Sequence, residues 1–264
     1  MNVGVAVAVL AAGKGTRMKT GAVIFDLQGL SVQLQTNATD SYALSDLTLQ
    51  IRAGERVALV GSNGCGKSTL LRVLNGLLPV ASGQHQKADA IKQALLAQTP
   101  HLLRTSVLNN VALAAWLRGQ TWRDAKGMAE AYLSQLALSH LSRRSALQLS
   151  VGQLQRVALC QCLVTQPDVL LLDEPTASLD PHAKRDVEAV VSAYIQGESA
   201  TALGMRTLVF SSHNLGQVKR LATRVIYMEG GRVLVDLPAD DFFDEAVMAE
   251  QAPSANLFLK GEKL

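Results

Sequence analysis

The nine residues Gly61-Ser62-Asn63-Gly64-Cys65-Gly66-Lys67-Ser68-Thr69 carry the densest chemical signal in this chain. Their spacing fits G-x-x-x-x-G-K-[ST], and the flanking pattern is the one this spacing needs. An apolar strand, Val57–Val60, precedes it, and an amphipathic helix over Leu70–Leu78, ended before Pro79, follows. Glycines let backbone N–H groups close on a phosphate without a Cβ in the way, and the helix N-terminus adds positive potential. Lys67 is then placed to reach β- and γ-phosphates, and Ser68 to ligate Mg²⁺.

A second cluster is Leu170-Leu171-Leu172-Asp173-Glu174-Pro175. Val169–Leu172 reads as a short, all-apolar strand of a buried parallel sheet. Carboxylates at the C-terminal end of such a strand sit where α/β sheets bind ligands. Asp173 is suited to hold Mg²⁺ and Glu174 to orient and deprotonate a water. A third cluster is Leu149-Ser150-Val151-Gly152-Gln153, in which Ser150 and Gln153 have capping-box spacing. It predicts a helix starting here with Ser150 Oγ, the Gly152 N–H and the positive dipole end exposed.

The elements that must position these groups alternate in type. Short strands are expected at Val23–Leu27, Leu30–Leu34, Leu47–Ile51 and Val57–Val60, with residues 80–90 a polar loop and Ile91–Ala97 a strand or helix start. Residues 106–145 read helical, with Val107, Val111 and Ala115 recurring at i, i+4, i+8, and Ser150–Val164 forms another helix. Asp180–Gln196 is helical, Thr207–Phe210 is a buried strand, and Arg224–Tyr227 and Arg232–Val235 flank a hairpin turn. Strands alternating with helices argue for an α/β domain around a parallel sheet.

Composition narrows the partners. The chain has 264 residues, 25 Lys+Arg against 22 Asp+Glu, and a net charge of +3, too weak to argue for nucleic acid as the main partner. Three cysteines in this length make no disulfide framework, which favours a reduced, intracellular setting. Apolar residues reach 48%, yet no uncharged apolar run approaches the roughly 18–20 residues that span a bilayer. Aromatics are only 4%, so individual ones stand out.

The three clusters, in this order, resemble the motifs of the ATP-binding cassette (ABC) ATPases, whose signature is usually Leu-Ser-Gly-Gly-Gln. The likeness runs from about Val23 to Phe243. It implies an α/β fold: a P-loop NTPase with a RecA-like parallel sheet core, an antiparallel β subdomain from about 22–60 plus the later hairpin, and a helical subdomain over about 100–150. On this division, residues 1–20 are an N-terminal extension, 21–243 the cassette and 244–264 a short C-terminal tail. Further positions follow from the resemblance. Tyr42 matches the aromatic that stacks on adenine. Gln98 matches the glutamine that touches Mg²⁺ and the attacking water. Ser178-Leu179-Asp180 looks like the loop that crosses the dimer interface, although Asp180 before Pro181 is equally an N-cap. His213 matches the histidine that contacts the γ-phosphate.

The family pattern implies ATP and Mg²⁺ as ligands and a nucleotide sandwich of two cassettes, as a homodimer or a heterodimer. Lys67, Asp173, Glu174 and His213 of one subunit would face Ser150, Gly152 and Gln153 of the other. It also implies a separate membrane permease, an extracytoplasmic binding protein if the system imports, and a cytoplasmic position on the inner face of the membrane. Segments 101–111 and 212–217 look like cassettes of tungstate-type oxyanion importers. The stretch Leu102–Leu117, including Trp116, is either a permease-docking face or helical core.

Three departures stand against the pattern. Val151 replaces the first glycine of the signature, and Cys160-Gln161-Cys162 stands where many members carry an alanine–arginine pair. The short interval from Lys67 to Gln98 implies a trimmed antiparallel edge. Leu10–Lys19 separately looks like the opening loop of nucleotidyltransferases, with no room for the rest of that fold; a disordered extension or a start at Met18 accounts for it more simply. A soluble, non-transport ABC ATPase is the other alternative, and the coiled-coil insertion or second cassette usual for that class is missing.

Overall fold

The computed structural model describes residues 21–35, 40–89, 91–197, 205–251 and Ala255. Residues 1–20, with their nucleotidyltransferase-like loop, lie outside the described residues. In chain order the elements are β1 (Val23–Gln35), β2 (Asp40–Arg52), β3 (Arg56–Val60), α1 (Lys67–Leu74), β4 (Ser82–Lys87), β5 (Gln93–Leu96), α2 (Val107–Trp116), α3 (Trp122–Gln135), α4 (Val151–Leu163), β6 (Val169–Asp173), α5 (Pro181–Gln196), β7 (Thr207–Ser211), α6 (Leu215–Leu221), β8 (Arg224–Glu229), β9 (Arg232–Pro238), α7 (Ala239–Phe242) and α8 (Glu245–Gln251).

Two sheets organise the chain. The larger has the order β5-β6-β7-β3-β8-β9, parallel except where β9 returns antiparallel along β8. The smaller is antiparallel, β2-β1-β4. The expected α/β architecture is present, but two memberships differ from the sequence reading. β3 and the hairpin β8–β9 belong to the parallel sheet, and the polar segment 82–87, read as loop, supplies the third antiparallel strand. That segment escapes the alternation rule because it is an edge strand, largely exposed along its length. The four short early strands merge into longer ones. β1 and β2 each run 13 residues through bulges, with Gly29 and Asp46 at positive φ.

The core divides on the two faces of the parallel sheet. Leu170, Leu172, Leu208 and Phe210 pack with α2, α3, α4 and α5, whereas Val169, Leu171 and Val209 pack toward α1 and the antiparallel sheet. Strictly alternating, wholly buried strands are what a two-sided sheet demands. Val107, Val111 and Ala115 form the buried stripe of α2 as their spacing predicts. The start of the C-terminal segment is attached: Met248 and Ala255 are buried in the helical-side core. All three cysteines are buried and free. Burial raises the thiol pKa of Cys160 and pushes that of Cys162 up to about 12, so both are inert packing groups. No helix among the described residues is long and apolar enough to cross a membrane.

Candidate functional site

The loop 61–66 leaves β3 and turns directly into α1. Its shape is set by backbone. Gly61 (φ 144°) and Gly66 (φ 106°) lie at positive φ, which side-chain-bearing residues rarely adopt. A Cβ on Gly61 would lie 2.1 Å from the Met228 carbonyl, and one on Gly66 2.7 Å from the Ala43 carbonyl. Only glycine fits both positions. α1 starts from Gly66 with no side-chain cap, so its first N–H groups and positive dipole end have no protein carboxylate or hydroxyl provided for them. Lys67 is buried, and its Nζ donates to the carbonyls of Gly61 (2.8 Å) and Ser62 (2.9 Å), with Cys65 Sγ at 3.6 Å. Among the described residues no carboxylate lies in salt-bridge range of it. A buried ammonium held by two carbonyls and a thiol, with no carboxylate, at an uncapped helix N-terminus fits a phosphate chain. Ser62, Asn63 and Gly64 are exposed on the loop, and Ser68 and Thr69 follow Lys67 in the first turn.

β6 delivers Asp173 and Glu174 to the same end of the sheet. Asp173 is buried, and its Oδ1 accepts from the Ser211 hydroxyl at 2.7 Å. Glu174 has φ 51°, a left-handed conformation that costs a side-chain-bearing residue roughly 1–2 kcal/mol. Its N–H donates to Ser211 Oγ (2.9 Å), and its carbonyl accepts from Gln155 Nε2 (2.9 Å). The carboxylate Oε1 is buried without a hydrogen-bond partner, 3.2 Å from His213 Nε2 but out of hydrogen-bond alignment. Burial raises the Glu174 pKa above the ordinary glutamate range, against the opposing pull of His213 and Lys67. A desolvated, elevated carboxylate with an open oxygen is suited to take a proton from water. Among the described residues no group of three His, Cys, Asp or Glu forms a protein-only metal cage. One carboxylate and one hydroxyl, with phosphate oxygens completing the sphere, is instead a donor set suited to Mg²⁺.

The structure thus gathers Lys67, Asp173, Glu174 and His213. Tyr42, 56% exposed, sits on β2 next to Ala43, whose carbonyl touches the Gly66 turn, so an aromatic face stands open beside the loop. Gln98 is exposed just past the end of β5, the strand beside β6. Ser150 and Gln153 direct their side chains to each other's backbone in a full capping box at the start of α4. Gly152 packs on the loop before α5; a Cβ there would meet Leu179 Cδ2 at 3.2 Å. Asp180 is the N-cap of α5, accepting from the N–H groups of His182 and Ala183. Those bonds, that from Ala183 foremost, hold its carboxyl below the usual range. Val151 is 66% exposed and crowds nothing. The stretch 102–117 divides: α2 buries Val107, Val111 and Ala115, while Trp116 and Leu117 stay about half exposed and Trp116 meets Trp122 edge-on.

Sequence reasoning missed the roles of five residues around this corner. Ser211 and Gln155 hold the Glu174 backbone. Gln217 accepts from the Ser212 hydroxyl (2.8 Å) and donates to Thr176 Oγ1 (3.1 Å), tying the turn that carries His213 to the loop after Glu174. For Gln155, Ser211 and Gln217 the one signal was a polar residue at a position the helical or strand period assigns to the core; all five residues are buried.

Known proteins resemble this chain in sequence and in fold. Residues 44–177 match the family described as ABC transporter. A nickel import ATP-binding protein of Rhodobacter capsulatus is 34% identical over 247 residues, covering 86% of this chain and 94% of the relative. An arginine transport ATP-binding protein of Haemophilus influenzae is 34% identical, covering 77% and 89%. A tungstate uptake system ATP-binding protein of Peptoclostridium acidaminophilum is 32% identical, covering 74% and 90%. Among solved structures, the dimeric post-hydrolysis state of an ATP-binding cassette bound to ADP and Pi superposes with a TM-score of 0.74 at 23% identity, over 82% of this chain and 99% of that one. With loop, strand-end carboxylates and capped helix all in the family's order, the chain belongs to the ABC transporter family, as an ATP-binding subunit that hydrolyses ATP with Mg²⁺.

Proposed function

We propose that this chain binds Mg²⁺-ATP between residues 61–69 and the Asp173–Glu174 corner, pairs with a second cassette, and drives a separate membrane permease that imports a small solute. The observation that carries the reading is Glu174: a buried carboxylate oxygen without a hydrogen-bond partner, beside His213, with its pKa raised by burial. Tyr42 stacks on adenine, a contact worth about 0.5–1.5 kcal/mol. Lys67 exchanges its two carbonyl acceptors for β- and γ-phosphate oxygens, and the N–H groups of the loop surround the chain of phosphates. Ser68, Asp173 and Gln98 would hold Mg²⁺, which would supply neutralisation of the phosphate charge.

Glu174 then takes a proton from water as the water oxygen attacks the γ-phosphorus. The bond between that phosphorus and the β–γ bridging oxygen breaks, and the oxygen leaves on ADP. His213 donates a hydrogen bond to the γ-phosphate. In the sandwich, the N-terminus of α4, with Ser150, Gly152 and Gln153, faces the ATP held by the other cassette, and Asp180 lies at the crossing. ATP binds the closed dimer better than the open one, which is the differential affinity a nucleotide switch requires.

Support for import comes from relatives named for nickel, arginine and tungstate uptake or transport. Because those cargoes differ, the proposal is stated for a small solute, with an oxyanion as its narrower form. As an ATP-driven subunit without a spanning helix among the described residues, the chain works in the cytoplasm, peripheral to the inner face of the membrane, with permease subunits and an extracytoplasmic binding protein. Glu174→Gln tests the mechanism. It keeps ATP binding, dimerises with ATP on size exclusion, and loses about 10²–10⁴ in turnover, the usual worth of a general base. Wild-type release of phosphate by this variant removes Glu174 as the base.

A further inference from the structure

Glu174 is held in its left-handed turn by two buried side chains, and one of them comes from an unexpected place. Ser211, at the end of β7, is a neighbour of β6 in the sheet. Gln155 lies in the second turn of α4, the helix whose first residues form the Ser150–Gln153 capping box. It is 3% exposed, and its Nε2 donates to the Glu174 carbonyl at 2.9 Å, across 19 residues of sequence. The carbonyl of Glu174, past the end of the strand, accepts from the Ala177 N–H within its own turn (3.3 Å) and, at shorter range, from the Gln155 amide, the donor that ties it to another element. An amide suits this position, since it donates without bringing a charge next to the Asp173 and Glu174 carboxylates.

We propose that Gln155 is a positioning residue for hydrolysis: it fixes the Glu174 carboxylate to the signature helix of the same chain. This rests on the reading of Glu174 as the base. The consequence is mechanical. α4 is one continuous helix from Val151 to Leu163, so its N-terminus and Gln155 move as one body. In the sandwich that N-terminus meets the nucleotide on the other cassette, while Gln155 holds the base that serves the chain's own nucleotide. A displacement of α4 on engaging one ATP therefore reaches the base at the other ATP through a single hydrogen bond. Gln155 bonds to the Glu174 backbone and to no residue of the loop 61–69, so its loss acts on the hydrolytic step and leaves nucleotide binding in place.

The test compares Gln155→Leu, which keeps volume and loses the donor, with Gln155→Glu, which keeps the shape and presents acceptors to the carbonyl. Both are measured as full-length chains for ATP turnover, ATP affinity and cooperative thermal unfolding. The expected result is a kcat at least tenfold below wild type in both, with ATP Kd and KM within twofold. A kcat within twofold of wild type, or a KM rising in step with the fall in kcat, overturns the proposal. Failure of both variants to fold makes Gln155 a packing residue and overturns it as well. Glu174→Gln is run beside them. If it keeps wild-type turnover, the assignment of the base fails; if it is inactive while both Gln155 variants turn over normally, only the positioning role fails.

Discussion

Two halves of the phosphate end of this molecule are built on opposite principles. The loop 61–66 takes its shape chiefly from backbone, with glycines at 61 and 66 where a Cβ would strike a carbonyl, and its one side-chain tie is the neighbouring Lys67 ammonium on the Gly61 and Ser62 carbonyls. The corner at Glu174 takes an equally unusual backbone conformation with a full side chain, and depends on Ser211 and Gln155 to hold it. A site made of backbone is rigid and insensitive to events elsewhere. A site clamped by side chains from β7 and α4 follows those elements when they move. On the proposed function, a nucleotide cradle is served by the first property, and a base that acts only in a closed dimer by the second.

The comparison predicts its largest effect at Gly61. Gly61→Ala puts a Cβ against the Met228 carbonyl and forces a residue to φ 144°. Overpacking costs about 1–3 kcal/mol and backbone strain a further 1–3 or so. ATP binding by equilibrium dialysis should be lost together with a marked drop in unfolding free energy. Retained binding would show that the loop has slack and end the contrast.

Ser211→Ala should come next. It leaves the Glu174 N–H without its buried acceptor and Asp173 without a donor, a loss of about 1–3 kcal/mol in denaturant titration. ATP affinity should change less than turnover, because the loop glycines are untouched. Equal losses in both would mean that the corner and the cradle are one unit.

pH separates the halves without mutation. Burial raises the Glu174 pKa, so this proposed base is protonated at pH values where an ordinary glutamate is ionised. The acid limb of kcat/KM, which reports the free protein, should therefore lie above the usual carboxylate range, while ATP binding stays flat there. The same shift has a stability sign. A raised folded-state pKa means that the native state favours the protonated form, so this group's contribution is full below the unfolded pKa and lost as pH rises through the folded one. Glu174→Gln, which cannot ionise, should thus be more heat-stable than wild type at neutral pH, with the gap closing in acid. A gap independent of pH would contradict the burial of this carboxyl.

How much of this was legible in the sequence follows the same division. Glycine spacing, an all-apolar strand ended by two acids, and a Ser–Gln capping pair are local patterns, and each produced the expected element and placed its residues. The clamps on Glu174 are not local: Gln155 and Ser211 reach it across 19 and 37 residues. Neither has a spacing rule, because the contact is created by α4 and β6 meeting in one core and by the β6–β7 register. The misplaced β4 has a related cause: an exposed edge strand is fixed by its partner β1, and its own residues carry no alternation.

The smallest effect belongs to the departure at Val151. Its side chain is 66% exposed at the first position of α4, whereas the neighbouring Gly152 lies against Leu179 and Ser178. The capping box uses only Ser150 and Gln153, so it is indifferent to what stands between them. Val151→Gly should move stability by no more than about 0.5 kcal/mol, the ordinary range for an exposed position. Turnover should stay within twofold of wild type. Gly152→Ala, one residue on, should cost more turnover than stability, because the flexible Leu179 side chain can give way while the loop leading to Asp180 is displaced. If Val151→Gly instead changes turnover strongly, the exposed valine contacts the second cassette, and the α4 N-terminus belongs with the side-chain-clamped half of the site.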